Sequence, residues 1–82
     1  MPQRSEIKGF ILKNYLFTND ESVLGDEESL LDKGIVDSTG ILELVDFLEE
    51  KYGVRVLDEE MLPENLDSVA SIVAFVQRKR QS

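Results

Sequence analysis

A serine at position 38 sits directly behind an acid, Asp37, and opens a run rich in carboxylates: Glu43, Asp46, Glu49 and Glu50 follow before residue 51. No Lys or Arg interrupts the stretch from Asp37 to Glu50. A serine hydroxyl is a weak nucleophile without a base beside it, and histidine, the usual base, is absent from the whole chain. Cysteine is absent too. A Ser-His-Asp or Cys-His arrangement, a disulfide framework and a Cys- or His-based zinc site are therefore excluded. Any thiol chemistry would have to use an imported thiol. Ser38 is not expected to act as a catalytic nucleophile, and no residue of the chain is expected to be catalytic. Capping a helix is its plain role, and a serine exposed at a helix start is also within reach of a modifying enzyme.

The elements that must position Ser38 follow from periodicity. Ile41, Leu44, Val45 and Leu48 fall on one side of a helical wheel, which predicts a helix from about Ser38 to Tyr52. Asp37 or Ser38 can cap its start, and Gly53 follows as a left-handed stop. Glu43, Asp46, Glu49 and Glu50 lie on the opposite side or its margin, with Leu42 among them and Thr39 near the start of the same face. Like charges at this spacing repel, so a helix that only had to be solvated would more often alternate signs. Acids around an exposed leucine suit a partner with a basic, partly apolar groove; on pattern alone, a plain solvated acidic face is the equal alternative.

Ile7, Phe10, Ile11 and Tyr15 predict a first helix from about Pro2 to Phe17, with Lys8, Lys13 and Asn14 on its outer side. Residues 18–36 break the period. Val23, Leu24, Leu30, Leu31, Ile35 and Val36 are expected to anchor that long connection. After an extended link at Val54–Val56, Asp58 to Leu62 reads as a helical turn or two, capped by Asp58 and ended by Pro63. A last helix is expected from about Asp67 to Lys79, with Val69, Ile72, Val73 and Val76 inward and Phe75 at the edge. The fold class is all-α: one domain over residues 1–82, a small bundle of three main helices and one short one.

The whole chain bounds the function further. Eighty-two residues allow a core only a few side chains deep. A net charge of −8 disfavours nucleic acid and anionic membranes and favours basic protein partners. No apolar run is long enough to span a membrane, and Met1–Glu6 lacks the apolar segment of a secretion signal, so a cytoplasmic monomer is expected. Asp20, Ser22 and Gly25 mimic a calcium loop, but its twelfth position is Leu31 where a bidentate acid is needed. No metal site is expected.

The segment Gly34-Ile35-Val36-Asp37-Ser38, followed by Glu43-Leu44-Val45, resembles the modification motif of acyl and peptidyl carrier proteins. Leu30-Leu31-Asp32, residues 47–54, Asp58-Glu59-Glu60, Pro63-Glu64-Asn65 and Ser68-Val69 resemble that family in the same order. The resemblance implies that Ser38 takes 4′-phosphopantetheine from coenzyme A, added by a phosphopantetheinyl transferase. Asp37 would help place that enzyme's metal. The arm's thiol would hold acyl or aminoacyl groups supplied by a loading ligase and used by downstream transferases or synthases. Thr39, Leu42, Glu43, Asp46, Glu49 and Glu50 match the face that meets basic patches on those partners. Many members have Leu where this chain has Thr39, and fatty-acid carriers often have Asp where it has Gly40. Those departures point away from the housekeeping fatty-acid carrier and toward a specialised stand-alone one, with Gly40 loosening the first turn. The alternative is an unmodified acidic interaction module in which Ser38 only caps a helix.

Overall fold

The computed structural model describes residues 2–81. Helix α1 covers Pro2–Ile11 and runs without a break into a wider π turn, Leu12–Leu16. Helix α2 is Ser38–Tyr52, α3 is the single turn Pro63–Leu66, and α4 is Val69–Gln81. Two 3-10 turns, Glu21–Val23 and Asp58–Glu60, punctuate the connections. There is no strand among the described residues, so the all-α expectation holds. None of the helices there is long and apolar enough to cross a membrane.

The core forms where the apolar stripes of α1, α2 and α4 meet. Ile7 and Ile11, then Leu44, Val45 and Leu48, then Val69, Ile72 and Val76 are all buried, which is the inward face that the helical period requires. Phe75 joins them, fully buried instead of lying at the edge, while Val73 is only partly covered. The α4 stripe is thus turned slightly from its expected setting, because the bulky ring takes the deeper place and covers more apolar surface. A second seam runs between α1 and α2: Phe10 stacks on Phe47 at 4.2 Å between ring centres, with Tyr15 and Tyr52 edge-on at either side.

Lys8 lies on the inner side of α1, not the outer. It is only 4% exposed, and its Nζ reaches Asp26 Oδ1 at 3.0 Å. Asp26 also accepts from the guanidinium of Arg4, so a carboxylate from the long connection offsets the cost of covering a lysine. The connection itself is strapped down. Leu24, Leu30 and Val36 are buried as anchors, whereas Val23 and Leu31 remain exposed. Leu30 N donates to Asp67 O at 2.7 Å, Leu31 N donates to the Asp67 carboxylate at 2.9 Å, and Ser29 Oγ donates to the same carboxylate.

Asp67 therefore closes α3 and ties the connection; it does not open α4. Ser68 accepts from Ser71 N at 3.1 Å and serves the start of α4, two residues later than expected. Pro63 opens α3 rather than ending the turn before it, because a proline at the first helical position lacks only an N–H that would be unpaired anyway. Likewise the Asp58–Glu60 turn begins from Leu57, whose N–H donates to Glu60 Oε1 at 3.0 Å.

Candidate functional site

The start of α2 is the candidate site, and its cap decides what Ser38 can do. Asp37 has extended backbone, and its Oδ1 accepts from Gly40 N at 2.8 Å. The acid is the cap, so the Ser38 hydroxyl is not consumed by capping. Ser38 is the first residue of the helix, it is exposed, and its hydroxyl makes no hydrogen bond among the described residues. It stands at the positive end of a 15-residue helix dipole, where a phosphate would be stabilised. Gly53 closes the helix in the left-handed conformation (φ 67°), donating to Glu49 O at 3.0 Å.

Beside Ser38 lies an open apolar groove of about 340 Å³, lined by Leu31, Ile41, Leu42, Met61, Leu62, Pro63 and Leu66. Leu31 and Leu62 are exposed because they form its walls. Ile41, expected on the inward stripe of α2, instead lines this surface groove with Met61 and Leu62 and is only partly covered. Leu48, Val69 and Phe75 fill the core. Phe47 belongs to the aromatic seam.

The acids of α2 divide into three roles. Asp46 and Glu50 are exposed beside Thr39 and Leu42, the latter 55% exposed. Glu43 is exposed but engaged: the Tyr15 hydroxyl donates to its Oε1 at 2.9 Å. Burial, with the negative Glu43 next to it, pushes the Tyr15 phenol up to about 12. Glu49 departs from the expected docking face. It is half-buried, and its Oε2 accepts from Val56 N at 2.9 Å, latching the extended link to α2. A backbone N–H seven residues on left this acid a better use than solvent.

Gly40 also departs from expectation. It is buried, and a β-carbon there would come within 2.7 Å of Val36 Cγ1 and 3.3 Å of Tyr15 Cε1. Far from loosening the first turn, the missing side chain lets α1 and the preceding loop pack against it. Asp20 and Ser22, the calcium-loop mimics, instead form a cap: Asp20 Oδ1 accepts from Ser22 N at 3.0 Å and from Ser22 Oγ at 2.6 Å.

Tyr15, the groove walls other than Leu42 and the Asp67 tie were not among the sequence-predicted site residues. The signal for Tyr15 was slight: an aromatic hydroxyl on the inner stripe of α1 needs a polar partner.

The helical bundle presents an exposed serine at a helix start, flanked by an acidic face and an apolar groove, an arrangement suited to attachment or docking. The comparisons with known proteins give the family. The chain is 42% identical over 55 residues to the probable acyl carrier protein PigG of Serratia, a match covering 67% of this chain and 63% of that protein. It is 38% identical over 63 residues to an acyl carrier protein of Arthrobacter, covering 71% and 75% respectively. It is 32% identical over 59 residues to the meromycolate extension acyl carrier protein of Mycobacterium tuberculosis, covering 72% of this chain and half of that one. No protein-family model matches the chain. The chain belongs to the acyl carrier protein family.

Proposed function

We propose that the chain is a carrier, not an enzyme, and that Ser38 holds a 4′-phosphopantetheine arm. The observation that carries this reading is the division of labour at the start of α2: Asp37 caps, so Ser38 is left exposed and unbonded. Ser38 Oγ attacks the β-phosphate of coenzyme A. A new phosphodiester P–O bond forms, adenosine 3′,5′-bisphosphate leaves, and the serine proton goes to a base on the transferase. The transferase also supplies the metal, which the exposed Asp37 carboxylate helps to place.

The arm fits this end of the molecule. Its phosphate would sit at the helix dipole's positive end, and its pantetheine stem would have the Leu42–Leu62 groove to lie along. Its thiol, when attached, supplies the thioester that a chain without cysteine cannot make. Acyl or aminoacyl groups would arrive from a loading ligase and leave to transferases or synthases. Those partners would dock on Thr39, Leu42, Glu43, Asp46 and Glu50 through basic patches. Thr39 and Gly40 support a specialised carrier over a housekeeping fatty-acid one.

The test is an intact mass after incubation with coenzyme A, magnesium and a broad-specificity phosphopantetheinyl transferase, beside Ser38→Ala. A gain of one phosphopantetheine in the natural chain alone is expected. No gain with several transferases would overturn the reading and leave an unmodified interaction module.

A further inference from the structure

The π turn at the end of α1 has a consequence for α2. It brings Tyr15 across to the first turn of α2, where its hydroxyl reaches Glu43 Oε1 at 2.9 Å and lies 3.3 Å from the carbonyl of Gly40. The absence of a side chain at residue 40 eases the approach, since a β-carbon there would stand 3.3 Å from Tyr15 Cε1, closer than such contacts usually are. The ring is fixed from behind by Phe10, edge-on at 6.1 Å. Glu43 is otherwise an exposed side chain on a solvent-facing ridge, free to sample several rotamers. Held by a phenol that is itself held, its carboxylate keeps one direction. A charge fixed in place before docking loses less entropy when a cation meets it.

We propose that Tyr15 is a positioning residue for docking: acting through Glu43, it orients the carboxylate that the modifying enzyme's basic surface meets. The proposal rests on the reading of Ser38 as the modified residue. Tyr15 does not touch the reacting atoms, so its effect falls on the capture of the carrier rather than on the transfer step.

The experiment is steady-state phosphopantetheine transfer with coenzyme A and magnesium saturating and the carrier varied. Tyr15→Phe keeps the ring and removes only the donor. It should raise KM for the carrier about fivefold, within the range expected when one rotamer-rich side chain has to be immobilised on docking instead of beforehand, with kcat within about twofold. Glu43→Ala should raise KM at least as much, and adding Tyr15→Phe to it should change little, because a residue acting through another has nothing left to act on. Glu43→Asp covers the case in which Tyr15→Phe folds poorly. It alters only an exposed side chain and keeps the charge, but draws the carboxylate back by one methylene, and it too should raise KM. Unchanged KM in Tyr15→Phe and Glu43→Asp, or fully additive losses in the double variant, would overturn the role of Tyr15 while leaving Ser38 as the attachment site. A natural chain that gains no arm would overturn both.

Discussion

Replacing Gly40 by alanine sets helix propensity against packing, and the two have opposite signs. Propensity favours alanine over glycine by about 1 kcal/mol in a helix interior. Packing opposes it. The new methyl would lie 2.7 Å from Val36 Cγ1, closer than such carbons approach one another, and 3.3 Å from the Tyr15 ring. Neither neighbour can easily withdraw. Val36 is β-branched and buried, with little rotamer freedom. Tyr15 is tethered by its hydroxyl to Glu43. Forcing a methyl into a filled site costs about 1–3 kcal/mol, so packing should win by about 1 kcal/mol. For a domain of this size each such kilocalorie lowers the melting midpoint by about 4–8 °C. A thermal melt followed by circular dichroism, backed by urea midpoints, reads the result. A Gly40→Ala chain as stable as the natural one, or more stable, would refute the packing argument and restore the view that Gly40 merely loosens the turn.

Two other perturbations separate stability from function. Asp37→Ala removes the α2 cap and should cost about 1 kcal/mol in urea unfolding, whereas Asp37→Asn caps as well and should leave stability unchanged. If Asp37 also places the transferase's metal, Asp37→Asn should nonetheless slow phosphopantetheine transfer; equal rates would remove that role. In acid, the Asp26 carboxyl is held below the usual carboxylate range by its hydrogen bonds to Arg4 and then Lys8, against the opposing effect of burial. A depressed folded pKa contributes stability above the unfolded value and loses it as pH falls through the folded one. Urea midpoints should therefore drop as pH falls below the ordinary carboxylate range, and Asp26→Asn should be less stable at neutral pH with a shallower acid decline. An unchanged slope would show that other carboxylates dominate the acid response.

Local pattern sufficed for much of this protein. The all-α class, the span of α2, its left-handed stop at Gly53 and the stripe of Leu44, Val45 and Leu48 are consequences of residue periodicity and backbone preference, which act over a few residues. The absence of Cys and His excluded whole classes of chemistry before any fold was known. The sequence also placed Ser38 at a helix start, but it left open whether Asp37 or Ser38 would cap. Only the folded loop geometry chose Asp37 and so left the serine hydroxyl exposed.

The corrections at helix ends, such as Pro63 opening α3 and Ser68 starting α4, are local, whereas four others arise from contacts that folding makes between different elements. Lys8 is buried because Asp26 comes from the next connection to meet it. Asp67 closes α3 because the backbone of residues 30 and 31 needs an acceptor. Glu49 leaves the acidic face because the chain doubles back and offers it Val56 N. Gly40 changes from a weak point into a packing site because α1 ends in a π turn that delivers Tyr15 to it. A helical wheel assigns each residue to a face but cannot say what will stand opposite. Sequence determined the three main helices and put a serine and an acid at the start of one of them; the tertiary packing decided which acids remain exposed, because a side chain's use depends on the partner that folding brings within reach.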